Sequence, residues 1–236
     1  MSQRVALRHY FLPLLYLPYG KCGSTAFTVR YLPPPFTITI FLTMTTTRTE
    51  HDFLGDRTLS NEVYYGVQTL RALENFSITG IPISKEPLFI KAFAMVKKAA
   101  ALANYECGVL DAIKKDAICF AADELIAGKY LDQFVSDMIQ GGAGTSCNMN
   151  VNEVIANIGL EYMGYKKGQY EYLHPNNDVN CSQSTNDAYP TAFRLAVYFK
   201  INGFVTALAA LQQAFYEKGQ VFASVLKIHN CKMPFR

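Results

Sequence analysis

The stretch DAYPTAFRLAVYFKINGFVTALAALQQAFYEKGQVFASVL, Asp187 to Leu226, decides the architecture. Almost no helix breaker follows Pro190, which sits early enough for a first helical turn to tolerate it. Ile201, Leu208, Phe215 and Phe222 recur at every seventh position, and Phe204, Leu211 and Val225 hold the second seam, interrupted once at Lys218. A helix of about 40 residues far exceeds the usual ~11–12. Sustained heptad spacing belongs to a bundle or coiled coil. The seam finds no match elsewhere in the sequence, so its cover is expected from other chains or further sequence. The expected fold is all-α, a multi-helix bundle with an irregular N-terminal region.

Working outward, Asn148 to Met163 reads as another helix, with Met149, Val151, Ile155, Ile158 and Met163 apolar. Further upstream, Phe89, Phe93, Val96 and Ala100 mark a helix from Pro87 to about Glu106. The adjacent Lys97–Lys98 pair reads as its solvated face. Gly108 suits the end of that helix, Asp111 caps the next, and Gly128 stops it. Its stripe is Ile113, Ala117, Phe120 or Ala121, and Leu125. These two helices form an antiparallel pair in the simplest reading. Thr49 to Asn75 is short, mixed and turn-rich, suiting loops and a small hairpin.

The chain has 236 residues, half of them hydrophobic and 17% charged, which excludes disorder from end to end. The net charge is +3, yet residues 1–43 hold Arg4, Arg8, Lys21 and Arg30 and no acid. The rest is nearly neutral and offers no electrostatic case for nucleic acid. Cysteines 22, 107, 119, 147, 181 and 231 contain no CxxC pair and read as reduced thiols of a cytoplasmic-type protein. His9, His51, His174 and His229 make no metal pair, and no apolar run reaches the ~18 residues of a membrane helix, so neither a metal enzyme nor a membrane protein is expected. Residues 1–43 hold five of the ten prolines and read as a mis-called start before Met44, disordered or loosely attached. A targeting peptide is the alternative.

Two polar loops each open a helix. GGAGTSCNMN, Gly141 to Asn150, joins three glycines to Thr145, Ser146, Asn148 and Asn150. Glycine lets the backbone approach a ligand, and a helix N-terminus attracts an anion. The plainer alternative is a glycine turn with a Thr or Ser cap. SQSTNDAYP, Ser182 to Pro190, places six polar side chains in a row, more than one cap requires. Together the loops suit a small carboxylate-bearing substrate and an oxyanion that grows during reaction. Neither carries a His base or a Lys, so the pair can bind and polarise without moving a proton. Cys147 reads as a packing residue, and His174 as a solvated loop histidine.

GGAGTSCNMNVNEVIANIGLEYMG (141–164) and LHPNNDVNCSQSTNDAYPTAFRLAVY (173–198) closely resemble two signature regions of the aspartase/fumarase superfamily. YYGVQTLRALENF (64–76) and MVKKAAALAN (95–104) resemble the same proteins, and the likeness runs from about Arg48 to Lys227. Class II fumarases show GTQ where this chain has Gly144-Thr145-Ser146, and SSNDTFPT where it has Ser184 to Thr191, so the resemblance is closer to the ammonia-lyase branch.

The resemblance implies reversible elimination of ammonia from L-aspartate to fumarate, with no cofactor and no metal. It implies that Thr145, Ser184 and Thr185 hold the carboxylate as its charge builds. Asn186 with Thr145 would contact the amino group, Ser146 and Asn148 would lie in the same substrate-binding set, and Arg71 would bind substrate. It also implies homotetramers whose central helices share a bundle, each site being built from three chains. The implied division is 44–183 as N-terminal lyase domain and 184–227 as the start of the bundle domain, with 228–236 a non-family tail. The family's flexible loop with the proton-abstracting Ser has no counterpart, and His229 does not match the family's histidine. A chain cut short in this way is expected to be inactive alone. Fumarate hydration and a non-catalytic assembly fragment are the rival readings.

Overall fold

The structure is a computed structural model that describes residues 46–140 and 142–226. The expectations for the leader 1–43, the tail 228–236 and His229 lie outside these residues. Two strands, β1 (Thr47–Asp52) and β2 (Gly55–Ser60), pair antiparallel with Asp52 opposite Gly55 and Thr47 opposite Ser60. Five α-helices follow: α1 (Val67–Asn75), α2 (Pro87–Glu106), α3 (Ala112–Ile126), α4 (Thr145–Tyr162) and α5 (Thr185–Val221). The all-α reading holds beyond the one hairpin, which the turn-rich N-terminal region anticipated.

Local signals explain α2 and α3. Pro87 occupies the first turn of α2, and Gly108 lies just past its end at φ +70°, a conformation glycine adopts without strain. Asp111 caps α3 by accepting the Lys114 N–H at 2.8 Å, and Gly128 closes it at φ +84°. The α3 stripe lies partly elsewhere than expected. Ala117, Ala121 and Leu125 are buried with Ile118 and Ala122, whereas Ile113 stands 67% exposed.

Helix α1 corrects the reading of residues up to Asn75 as loops and hairpin. Its N-cap is Gly66, which has no side chain to offer, and the cap comes from far along the chain. Glu153 accepts the N–H groups of Gly66, Gln68 and Thr69 at 2.8–3.1 Å and the Thr69 hydroxyl at 2.6 Å. Glu50 accepts the Val67 N–H at 2.9 Å. A Cβ on Gly66 would fall 2.5 Å from the Glu50 carboxylate and 2.8 Å from that of Glu153, so this position admits only glycine.

Helix α4 is the centre of the body, in contact with α1, α2, α3 and α5. Every residue from Asn150 to Leu160 is buried. Around it pack Phe93, Ile90, Ile118, Leu125, Phe134 and Leu173, each worth about 1.5–3 kcal/mol when fully buried. Buried asparagines are mostly paired. Asn157 donates to the Tyr64 carbonyl at 2.7 Å, and Asn150 to the Gln133 carbonyl at 3.1 Å.

Helix α5 begins at Thr185, capped by Ser184, so Pro190 lies in its second turn rather than its first. Only Ala188, Ala192 and Ala196 of α5 are buried, against α2 and α4. From Ile201 onward every described residue of the helix is exposed, including Leu208 at 51% and Phe215 at 70%. The heptad seam is thus uncovered within the described residues. By length and composition α5 is apolar enough to cross a membrane, which corrects the expectation that no segment reaches that measure: its few charged and polar residues are spread too thinly to offset the apolar ones.

Candidate active site

The two polar loops converge. Asn148, in the first turn of α4, is fully buried and donates its side-chain amide to Thr185 Oγ1 at 3.2 Å and to Asn180 Oδ1 at 3.1 Å. Asn180 Oδ1 also accepts from Lys97 Nζ at 2.8 Å, and the same ammonium donates to Gln183 Oε1 at 3.0 Å. One polar network therefore joins α2, the start of α4, the turn before α5 and the first residue of α5. Among the described residues, Asn148 Oδ1 is buried without a partner.

Neither Thr145 nor Ser146 caps α4. The cap position is Gly144, at φ +88° and with no side-chain hydrogen bond, which removes the plainer reading of this loop. A Cβ there would meet the Tyr189 ring at 2.2 Å, so glycine is required twice over. Gln140 folds back instead, its side-chain oxygen accepting the Cys147 N–H at 2.5 Å. Thr145 is exposed at the mouth of the loop and Ser146 half-buried behind it. On the facing side Ser184 Oγ accepts the Asn186 N–H at 3.2 Å, which leaves its hydroxyl hydrogen to donate outward. Between the loops opens a cleft of about 550 Å³, walled by Met138 to Gln140, the glycine turn at Gly142 and Gly144, Tyr189 and Pro190; of the expected substrate-binding residues Asn186 alone lines it, with Thr145, Ser146, Asn148, Ser184 and Thr185 set beside it. It is larger than a four-carbon dicarboxylate needs.

The segment feeding the glycine loop is held by Asp137. Its carboxylate accepts from the Thr79 hydroxyl at 2.6 Å and from the N–H groups of Thr79, Gly80 and Ile139 at 2.8 Å, which hold its pKa down at about 2. Tyr189 is braced edge-on by Phe89 and Phe93 at 5.4 and 6.0 Å.

Arg71 stands apart from this group. Its guanidinium holds Asp52 in a two-pronged pair at 2.6 Å and reaches the Gly55 carbonyl at 2.9 Å, tying α1 to the hairpin. Among the described residues it makes no hydrogen bond to either polar loop. His174 is half-buried and accepts the N–H groups of Asn176 and Asn177 on Nδ1, capping the short π-helical turn Pro175–Val179. That donor set assigns its ring hydrogen to Nε2. Cys147 is fully buried and burial pushes its thiol up, which leaves a packing residue.

Lys97 overturns the solvated-face reading of the lysine pair. It is 0% exposed, whereas its neighbour Lys98 pairs with Asp123 at 2.7 Å on the surface. The signal was present in the sequence: Lys97 is four residues after Phe93 and four before Ala101, in the middle of the buried stripe of α2. Burial drives its pKa down to about 7.

A protein-family model described as lyase matches residues 55–230. Aspartate ammonia-lyase of Helicobacter pylori is 59% identical over 186 residues, covering 79% of this chain and 40% of that protein. The aspartate ammonia-lyase of Escherichia coli is 52% identical over 187 residues, covering 79% and 39%. Among solved structures, the fumarate lyase:delta crystallin of Brucella melitensis superposes with a TM-score of 0.75 at 52% identity, over 79% of this chain and 44% of that one. A class II fumarase of Schistosoma mansoni follows with a TM-score of 0.60 at 34% identity, over 64% and 32%. This chain spans about two fifths of the length of the curated relatives it matches. With its core helices, both polar loops and the start of α5 all inside the matched region, the chain belongs to this lyase family, the aspartase/fumarase superfamily.

Proposed function

We propose that this chain carries the substrate-holding loops of an aspartate ammonia-lyase, which removes ammonia reversibly from L-aspartate to give fumarate. The observation that carries the reading is the meeting of the two loop motifs, through Asn148 and Thr185, beside a cleft walled by two helix N-termini. Such ends favour negative charge, and donors aimed where charge develops are commonly the largest contribution to catalysis. In this reading Thr145, Ser184 and Thr185 hold the carboxylate that becomes a dianion after the adjacent carbon loses a proton. Asn186, with Thr145, holds the amine that departs, and Ser146 and Asn148 set the floor. The proton goes to a group outside these loops, since neither carries a base. Arg71, paired with Asp52 in its own fold and away from both loops, enters this reading as a substrate contact only across a boundary between copies of the chain. The identities of 52–59% to ammonia-lyases, against 34% to the class II fumarase, favour ammonia over water as the leaving group.

The exposed seam of α5 supports assembly of several copies into a shared helical bundle, and free thiols at Cys107, Cys119, Cys147 and Cys181 fit a cytoplasmic enzyme. Calorimetric titration with fumarate, L-aspartate and L-malate tests the proposal. Fumarate and L-aspartate are expected to bind, and Thr145→Ala, Ser184→Ala and Thr185→Ala to weaken both. Preference for L-malate favours the hydratase, and binding of none of the three overturns the reading.

A further inference from the structure

We propose that Lys97 is a positioning residue of the two-loop site, a buried cation that orients the Thr185 hydroxyl toward a dicarboxylate through Asn180 and Asn148. The proposal rests on the substrate reading above and goes past it to a residue that does not line the cleft. Lys97 is fully buried, and both of its hydrogen-bond acceptors are neutral amides, Asn180 Oδ1 at 2.8 Å and Gln183 Oε1 at 3.0 Å. Among the described residues it forms no ion pair, whereas Lys98 has Asp123 and Lys114 has Asp178. The one titratable neighbour that acts on its charge is the Cys147 thiol of α4, which burial keeps neutral. Burying a cation without a counter-ion is costly, so a lysine at this place in the core calls for a compensating role. What lies beyond Asn180 and Asn148 is the pair of helix starts that would receive an anion.

The hydrogen-bond directions give the route. Lys97 can only donate, so Asn180 must turn its oxygen toward it. That oxygen then accepts from Asn148 Nδ2, which also donates to Thr185 Oγ1. With its oxygen accepting, the Thr185 hydroxyl is left its hydrogen to donate to a ligand at the start of α5. Asn148 Oδ1, buried and without a partner among the described residues, lies at the same junction.

The test compares the full chain with its Lys97→Met variant, a substitution of similar length that removes the charge. Fumarate, a dianion, and fumaramide, its uncharged analogue, are titrated against both, and the side-chain amide signals of Asn148 and Asn180 are followed by nuclear magnetic resonance. Lys97→Met is expected to lower the fumarate-to-fumaramide affinity ratio at least tenfold and to shift both amide signals. A merely structural lysine would weaken the two ligands equally, and that result overturns the proposal. Should the variant fail to fold, the wild-type chain decides: its affinity ratio is expected to fall as pH rises from 6 to 9 and Lys97 loses its proton, and a flat ratio overturns the proposal. If the wild-type chain binds neither ligand, the substrate reading fails and the positioning role that rests on it is overturned too, an outcome distinct from binding with an unchanged ratio.

Discussion

Asn148 donates its side-chain amide to the Thr185 hydroxyl at 3.2 Å, although 37 positions separate them in the chain. The contact fixes the start of α4 against the start of α5. Each loop alone could be read as an ordinary helix entry. Joined, they bring the small polar side chains of both helix starts into one network beside the cleft that Gln140 and Asn186 line, an arrangement that a cap does not require.

Removing that joint is the first test. Asn148→Ala strips Thr185 Oγ1 of its donor and leaves a void beside Asn180. A buried group that loses its partner costs about 1–3 kcal/mol, so denaturant unfolding is expected to show a loss of that size. Fumarate affinity, measured by calorimetry on the same protein, is expected to fall with it. Unchanged stability together with unchanged affinity would remove the joint from any account of the site.

Gly144 and Tyr189 form a second joint. Gly144→Ala places a methyl group where the tyrosine ring lies and asks alanine to hold φ near +88°. Overpacking and left-handed backbone together are expected to cost about 2–4 kcal/mol. Tyr189→Ala should absorb the steric share of that loss but not the backbone share. A double-mutant cycle read by denaturant unfolding is therefore expected to give a coupling above about 1 kcal/mol. Additive losses would mean that the ring yields freely.

These contacts also show what the sequence could and could not disclose. Helices α2 and α3 were legible because their stop and start signals are local: Gly108, Asp111 and Gly128 lie beside the ends they control. Helix α1 was hidden because Glu50 and Glu153 supply its cap, the latter 87 positions beyond Gly66. The candidate loops stood out by the density of small polar side chains. Lys97 escaped because a charged residue beside a second lysine resembles a solvated pair, and only packing shows which of the two faces inward. Ile113 was misplaced for a related reason: α3 offers Ile118 and Ala122 as well, and periodicity does not choose between overlapping stripes.

The uncovered length of α5 makes its own prediction. Leu208 and Phe215 share the seam at 51% and 70% exposure, in a helix whose described residues are all exposed from Ile201 onward. Soluble monomers avoid apolar patches of this extent. Sedimentation velocity is expected to show a species larger than the 26.4 kDa monomer, and Leu208→Glu with Phe215→Lys to shift it toward monomer. A wild-type chain that sediments as a stable monomer would refute assembly through this seam.

Two buried charges should give stability an unusual pH profile. Glu153 is pushed up from 4.5 to about 7, chiefly by burial, with Glu50 adding to the rise and the Thr69, Gly66 and Gln68 donors opposing it. Lys97 is pushed down from 10.5 to about 7 by burial. Between about pH 4.5 and 7 the unfolded chain has released the Glu153 proton while the folded chain keeps it, so stability falls as pH rises. Between about pH 7 and 10.5 the unfolded chain keeps the Lys97 proton while the folded chain has released it, so stability rises with pH. Each arm has a limiting slope of about 1.4 kcal/mol per pH unit, and together they place a minimum near neutrality. Asp137, held near 2, titrates below this window and leaves both arms undisturbed. Denaturant unfolding from pH 5 to 10 is expected to trace the two arms, with Lys97→Met flattening the alkaline one and Glu153→Gln the acid one. If Lys97→Met leaves the alkaline arm intact, the ammonium of Lys97 is not the group that burial destabilises.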